Sequence, residues 1–143
     1  IEVQLPFLQH LFNGQFGIVP ICMMMQDERT SEEVGRAIAE AAAKKDVVII
    51  ASTDFTHYEP QRSAVAKDRK AIDKILALDW RGLLRVIHDE DISMCGFGPV
   101  AAMLCAAKAL GAKKAVLLKY ATSGDTAGPM SQVVGYGSIA VTR

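Results

Sequence analysis

Apolar residues along this chain come in two patterns: short unbroken runs, and longer stretches in which they recur every three or four positions. The first pattern suits strands covered on both faces, the second suits helices packed on one side. In EVQLPFLQHLF, residues 2–12, Val3, Phe7, Leu8 and Leu11 fall at helical spacing, which predicts a short helix with Pro6 in its first turn or at a kink. GIVPICMMM, 17–25, is dense and partly β-branched and predicts a strand whose Pro20 lies at an edge or bulge. TSEEVGRAIAEAAAKK, 30–45, carries a Ser/Thr cap, two glutamates in its first turn and two lysines in its last, as both a cap and the helix macrodipole require. DVVIIAS, 46–52, is apolar without interruption and predicts a strand sandwiched between layers.

The second half repeats these patterns. PQRSAVAKDRKAIDKILAL, 60–78, starts on a proline suited to a first turn and sets Ala64, Ala71, Ile72, Ile75 and Leu76 in one stripe, which predicts a helix returning over the sheet. DWRGLLRVIHD predicts a further short helix, and PVAAMLCAAKALGA another, from Pro99 to Gly111. KKAVLLKYAT and VVGYGSIAVT predict two strands joined by the polar loop SGDTAGPMSQ. Strands interleaved with helices make an α/β fold, expected here as a three-layer α/β/α arrangement on a mixed central sheet. Ligands in such folds gather beyond the carboxyl ends of strands, so STDFTHYEP and TSGDTAGP are expected to share one rim.

Composition narrows the function classes. The 143 residues, half of them hydrophobic, are enough for one domain with a core, and no repeat, charge run or linker divides them. Sixteen basic and sixteen acidic side chains cancel, which points away from nucleic acid and from an anionic membrane surface. The longest apolar runs fall short of the roughly 20 residues a membrane-spanning helix needs. Cys22, Cys95 and Cys105 are odd in number and widely spaced, which predicts a reducing, cytoplasmic setting over a disulfide framework.

Three residues stand out as chemistry. Asp54 and His57 leave the mouth of an apolar run three residues apart, where a carboxylate can orient an imidazole and raise its basicity; a plain turn with a surface histidine is the competing reading. Cys95, in SMCGFGPVAAML, precedes two glycines and a proline that opens a helix, a position where the dipole favours the anion that attacks or binds metal. Cys22 and Cys105 read as small core hydrophobes, and Met23, Met24 and Met25 as core filler. His88 reads as a solvated helix-end residue, and His10 has no evident partner. From the residues alone, the set fits either a cysteine nucleophile with a histidine base or part of a metal site.

Taken in order, IEVQLPFLQ, ASTDFTHYE, CGFGPVAAML, YATSGD and VVGYGSIAV resemble the Memo family, also called the AmmeMemoRadiSam system protein B family, over nearly the entire chain. The resemblance implies a fold like that of class III extradiol dioxygenases, nonheme iron enzymes that open catechol rings. It implies a pocket holding iron or copper through two histidines and a cysteine, with Cys95 matching the cysteine of the C-G-x-x-P motif. Asp54 and His57 match the D-F-x-H motif that lines the same pocket. Both metal-binding histidines of the family lie upstream of the position of Ile1, so residues 1–143 are expected to be a C-terminal portion of a single Memo-like domain. The portion is then expected to meet a missing N-terminal part of the same protein or to self-associate.

Three functions follow as expectations. The first is a redox metalloenzyme in its complete form, with His57 as proton carrier and Asp54 orienting it. A cysteine in place of the carboxylate of a ring-opening facial triad turns this away from extradiol cleavage itself. The second is a binding module that uses the pocket for a small molecule, a peptide or a partner protein. The third is a Cys–His hydrolase with Cys95 as nucleophile and His57 as base.

Overall fold

A computed structural model describes residues 1–126 and 128–143. A single 3-10 turn (Glu2–Gln4) leads into α1 (Leu5–Phe12), followed by α2 (Glu28–Ala42), β1 (His57–Glu59), α3 (Gln61–Leu76), α4 (Trp80–Asp89), α5 (Phe97–Ala109), β2 (Lys114–Thr122) and β3 (Val133–Thr142). The fold is α/β. Its paired strands form a three-stranded sheet in the order β1-β3-β2, with both pairings antiparallel.

The helices follow the periodic stretches, and their ends follow the capping chemistry. The Asp27 carboxylate, not Thr30 or Ser31, caps α2 by accepting the Thr30 N–H at 2.7 Å. This pulls the helix start back to Glu28, so Ser31 is buried inside the helix and Lys44 and Lys45 lie past its end. Asp79 caps α4 in the same way, accepting from the Gly82 N–H at 2.9 Å. Pro60 stands at the N-cap of α3, whose inner face is Ala64, Asp68, Ala71, Ile72 and Ile75. Gly96 is the N-cap of α5, which starts at Phe97, two residues before the expected start, placing Pro99 within the first turn.

The core lies where α3, α4 and α5 meet the sheet, around Phe55, Ile72, Ile75, Leu83, Ile87, Ile92, Met94, Val100 and Leu104. α5 is buried on several sides because α2 and α4 flank it, which explains why it is apolar nearly all round. Strands β2 and β3 pair from Lys114 opposite Thr142 to Thr122 opposite Gly135, with an irregularity between Leu117 and Lys119. The connecting segment includes a 3-10 turn at Ser123–Asp125, closed by reciprocal bonds between Thr122 and Asp125; Ala127 of this loop lies outside the described residues.

Two expected strands do not form. Residues 17–25 and 46–52 run without regular structure, because a strand needs a neighbour to take its backbone bonds and none of the described strands pairs with either run. Their side chains are consequently open: Val19 is 87% exposed, Met24 92% and Val48 81%. Cys22 is exposed rather than core, and Met24 and Met25 fill nothing. The apolar stripe of α1 is likewise uncovered, with Val3, Phe7 and Leu11 exposed. Cys105 is buried, as expected, and burial pushes its thiol above the ordinary range.

Candidate functional site

Two turns build the site. One is residues 53–57, leading into β1; the other is residues 93–96, leading into α5. Among the described residues, Asp54, His57 and Cys95 form the one Cys/His/carboxylate group whose ligand atoms lie close enough to share an ion, each within 4.8 Å of the others. The three residues singled out from sequence are therefore brought together. His10 and His88 are exposed and stand apart from this group.

Backbone and hydroxyl groups hold the cluster. The Asp54 N–H donates to Cys95 Sγ at 3.3 Å, and the Gly96 N–H donates to Thr53 Oγ1 at 2.8 Å, tying the two turns together. Gln26 clamps the second turn: its side-chain amide donates to the Cys95 carbonyl at 3.0 Å and its oxygen accepts the Gly98 N–H at 2.8 Å. A side chain at position 98 would run into Gln26, so the second glycine of C-G-F-G is a packing requirement.

His57 is anchored by Ser93, not by Asp54. The Ser93 hydroxyl accepts the His57 backbone N–H at 2.8 Å, and the His57 Nδ1 lies 2.7 Å from the Ser93 carbonyl oxygen. A carbonyl only accepts, so Nδ1 carries a hydrogen, and in the neutral ring Nε2 keeps its lone pair. That lone pair faces Asp54, whose Oδ2 is 3.7 Å away, beyond hydrogen-bond range but close enough to stabilise a positive imidazolium. The Asp54 side chain is 47% exposed and that of His57 largely covered, so the pair sits at a rim and not in the core.

One buried group beneath the site gave little sequence signal. Asp68 on α3 is fully buried, accepting the Thr56 N–H at 2.9 Å and the Tyr120 hydroxyl at 2.6 Å. Burial, and then this carboxylate, push the Tyr120 hydroxyl well above the usual phenol range. Within AKDRK, Asp68 reads as solvent-facing; its place in the stripe of Ala64, Ala71 and Ile72 was the clue. Ser93 and Gln26 carried no comparable signal, since their roles arise from contacts 36 and 69 residues away in sequence. At the far end of β1, Glu59 loses solvation, which alone would raise its pKa, but Lys67 and Ser63 outweigh this and hold it below the ordinary carboxylate range.

The loop after β2 reaches the same end of β3, where the Ser123 hydroxyl accepts the Val134 N–H and Asp125 accepts from Gln61. It adjoins β1 as expected, but residues 93–96, not this loop, complete the cluster.

An α/β scaffold that gathers a thiol, an imidazole and a carboxylate at loops beyond its packed helices defines a protein with a surface donor cluster. Residues 1–140 match the family described as Memo-like protein, and the chain belongs to that family. It is 54% identical over 145 residues to a MEMO1 family protein of Methanopyrus kandleri, covering 100% of this chain and 51% of that protein. A MEMO1 family protein of Methanosarcina acetivorans is 52% identical, over 99% of this chain and 54% of its own length. One of Sulfolobus acidocaldarius is 49% identical, over 97% and 49% respectively. The chain thus spans about half the length of the curated relatives it matches. No helix among the described residues is long and apolar enough to cross a membrane.

Proposed function

We propose that this chain carries part of a nonheme metal pocket, for iron or copper, serving redox chemistry of the dioxygenase-like type in the complete protein. The observation that supports it is the convergence of Cys95, His57 and Asp54, with ligand atoms within 4.8 Å of one another. The donor set fits such a metal: a soft thiolate favours Cu(I) or iron over Mg or Ca, and an imidazole anchored through Nδ1 has Nε2 free. Cys95 would hold the metal, with the two histidines implied by the family resemblance coming from residues outside this chain. Bound there, the metal supplies electron-transfer and Lewis-acid chemistry.

The chain's own residues would do the rest. The Ser93 carbonyl keeps His57 in one tautomer, so Nε2 can take a proton from a group bound in the pocket. The Asp54 carboxylate would then stabilise the imidazolium that results. The exposed runs at 17–25 and 46–52 support a covering partner, either a further portion of the same protein or a second copy of this chain. Three free thiols support a reducing, cytoplasmic setting.

A second reading, a non-catalytic pocket for a peptide or small molecule, draws on the openness of the rim, where Cys95 is exposed. Elemental analysis of the complete protein, purified without oxygen, separates the two. Cys95→Ser should lose stoichiometric iron or copper with an unchanged circular dichroism spectrum, and His57→Ala should keep most of the metal while losing turnover. A wild-type protein without metal would favour the binding pocket, and unchanged metal in Cys95→Ser would remove that residue from the ligand set.

A further inference from the structure

We infer that Asp68 is a positioning residue of this site: from beneath, it fixes the Asp54–His57 turn and with it the tautomer that His57 presents. The inference deepens the pocket reading and rests on His57 working there, but its test needs no metal.

Asp68 touches neither Asp54 nor His57. It acts through Thr56, the residue between Phe55 and His57, whose backbone is pinned on both sides. The Thr56 N–H donates to Asp68 Oδ1 at 2.9 Å, and the Thr56 carbonyl accepts the Gly135 N–H at 2.9 Å. The Phe55 N–H closes the pair by donating to the Gly135 carbonyl at 2.9 Å. Only a turn held at this height lets the next residue meet Ser93 twice, through its backbone N–H and through Nδ1.

The surroundings are shaped for this carboxylate. It is fully buried, and its second oxygen takes the Tyr120 hydroxyl at 2.6 Å, so both oxygens are used. A side chain at position 135 would collide with Asp68 Oδ2, and one at position 137 would press on Phe55. The glycines of G-Y-G in β3 therefore leave room for the carboxylate and the ring beneath the turn. A buried carboxylate is costly to keep in a core unless its bonds are satisfied. Apolar residues of equal volume could fill the same space, but none could hold the Thr56 N–H.

The test reads the nitrogen resonances of the neutral His57 imidazole by NMR. His57→Ala assigns them among those of the other histidines. Wild type should show one fixed tautomer with hydrogen on Nδ1. Asp68→Asn should show the same, because its oxygen can accept from Thr56 while its amide donates to the Tyr120 oxygen. The double variant Asp68→Leu/Tyr120→Phe keeps the volume and removes the acceptor. Its two nitrogen resonances should move together toward the average of a ring exchanging between tautomers, with circular dichroism unchanged. A folded double variant that keeps the wild-type pattern overturns the assignment, as does a wild type in which His57 already averages. Where the double variant does not fold, Asp68→Glu, which displaces the carboxylate by one methylene, takes its place under the same criterion. If neither folds, Asp68 is a core residue alone and the assignment falls. A complete protein that holds no metal yet fixes the His57 tautomer counts against the pocket reading and not against Asp68.

Discussion

Tyr58 sits beside His57 with φ at +57°, in the left-handed region that non-glycine residues rarely occupy. The pairing explains why: His57 stands opposite Val134 and Glu59 opposite Val133, so two steps along β1 match one along β3 and Tyr58 is the extra residue of a bulge. The bulge brings both His57 and Glu59 inward while the Tyr58 side chain goes to solvent. A non-glycine residue held this way costs on the order of 1 kcal/mol, and a β-branched one more. Tyr58→Val is expected to be less stable than Tyr58→Gly by about 1–2 kcal/mol in urea unfolding. Equal stabilities would mean that the bulge relaxes without strain. Nothing in H-Y-E signals the bulge, whereas the D-F-x-H spacing that marks Asp54 and His57 is plain in the sequence. Their separation is local, and the kink between His57 and Glu59 is imposed by β3.

Among the elements, the crossing of α2 on α5 bears most directly on the site, because Cys95 and the Gly96 cap lie at the start of α5. The helices approach closely at Gly35, where an added Cβ would lie 2.6 Å from the Ala102 carbonyl oxygen and 2.7 Å from Cys105 Cβ. In an open helix, alanine would be worth about 1 kcal/mol over glycine. Here overpacking is expected to reverse the sign, with Gly35→Ala losing about 1–3 kcal/mol by thermal or urea unfolding. A gain would show that the two helices can separate at no cost. Five helices were legible from periodicity, since a repeating apolar face is a property of the stretch itself. Their caps were less so: Asp27 displaced the Ser/Thr cap of α2 because its carboxylate reached the Thr30 N–H first.

At the scale of the whole molecule, the runs 17–25 and 46–52 have strand character in their side chains and no strand neighbour among the described residues. Exposed apolar segments with free backbone groups invite pairing with other protein. The chain by itself is therefore expected to self-associate in sedimentation velocity, and Val19→Lys with Val48→Lys to shift it toward monomer. A monodisperse monomer at high concentration would rule out a second copy of this chain as their cover.

The sequence by itself determined the helices, the β2–β3 hairpin, the α/β class and the three residues of the donor cluster, because these rest on local periodicity and on motif chemistry. Only the tertiary structure decided that Ser93 and not Asp54 anchors His57, that Gln26 clamps the turn of Cys95, and that Asp68 lies buried beneath the turn. It also decided that two apolar runs pair with none of the described strands. A hydrogen bond between residues 36 or 69 positions apart leaves no periodic trace, and a strand exists only where another strand accepts its backbone bonds.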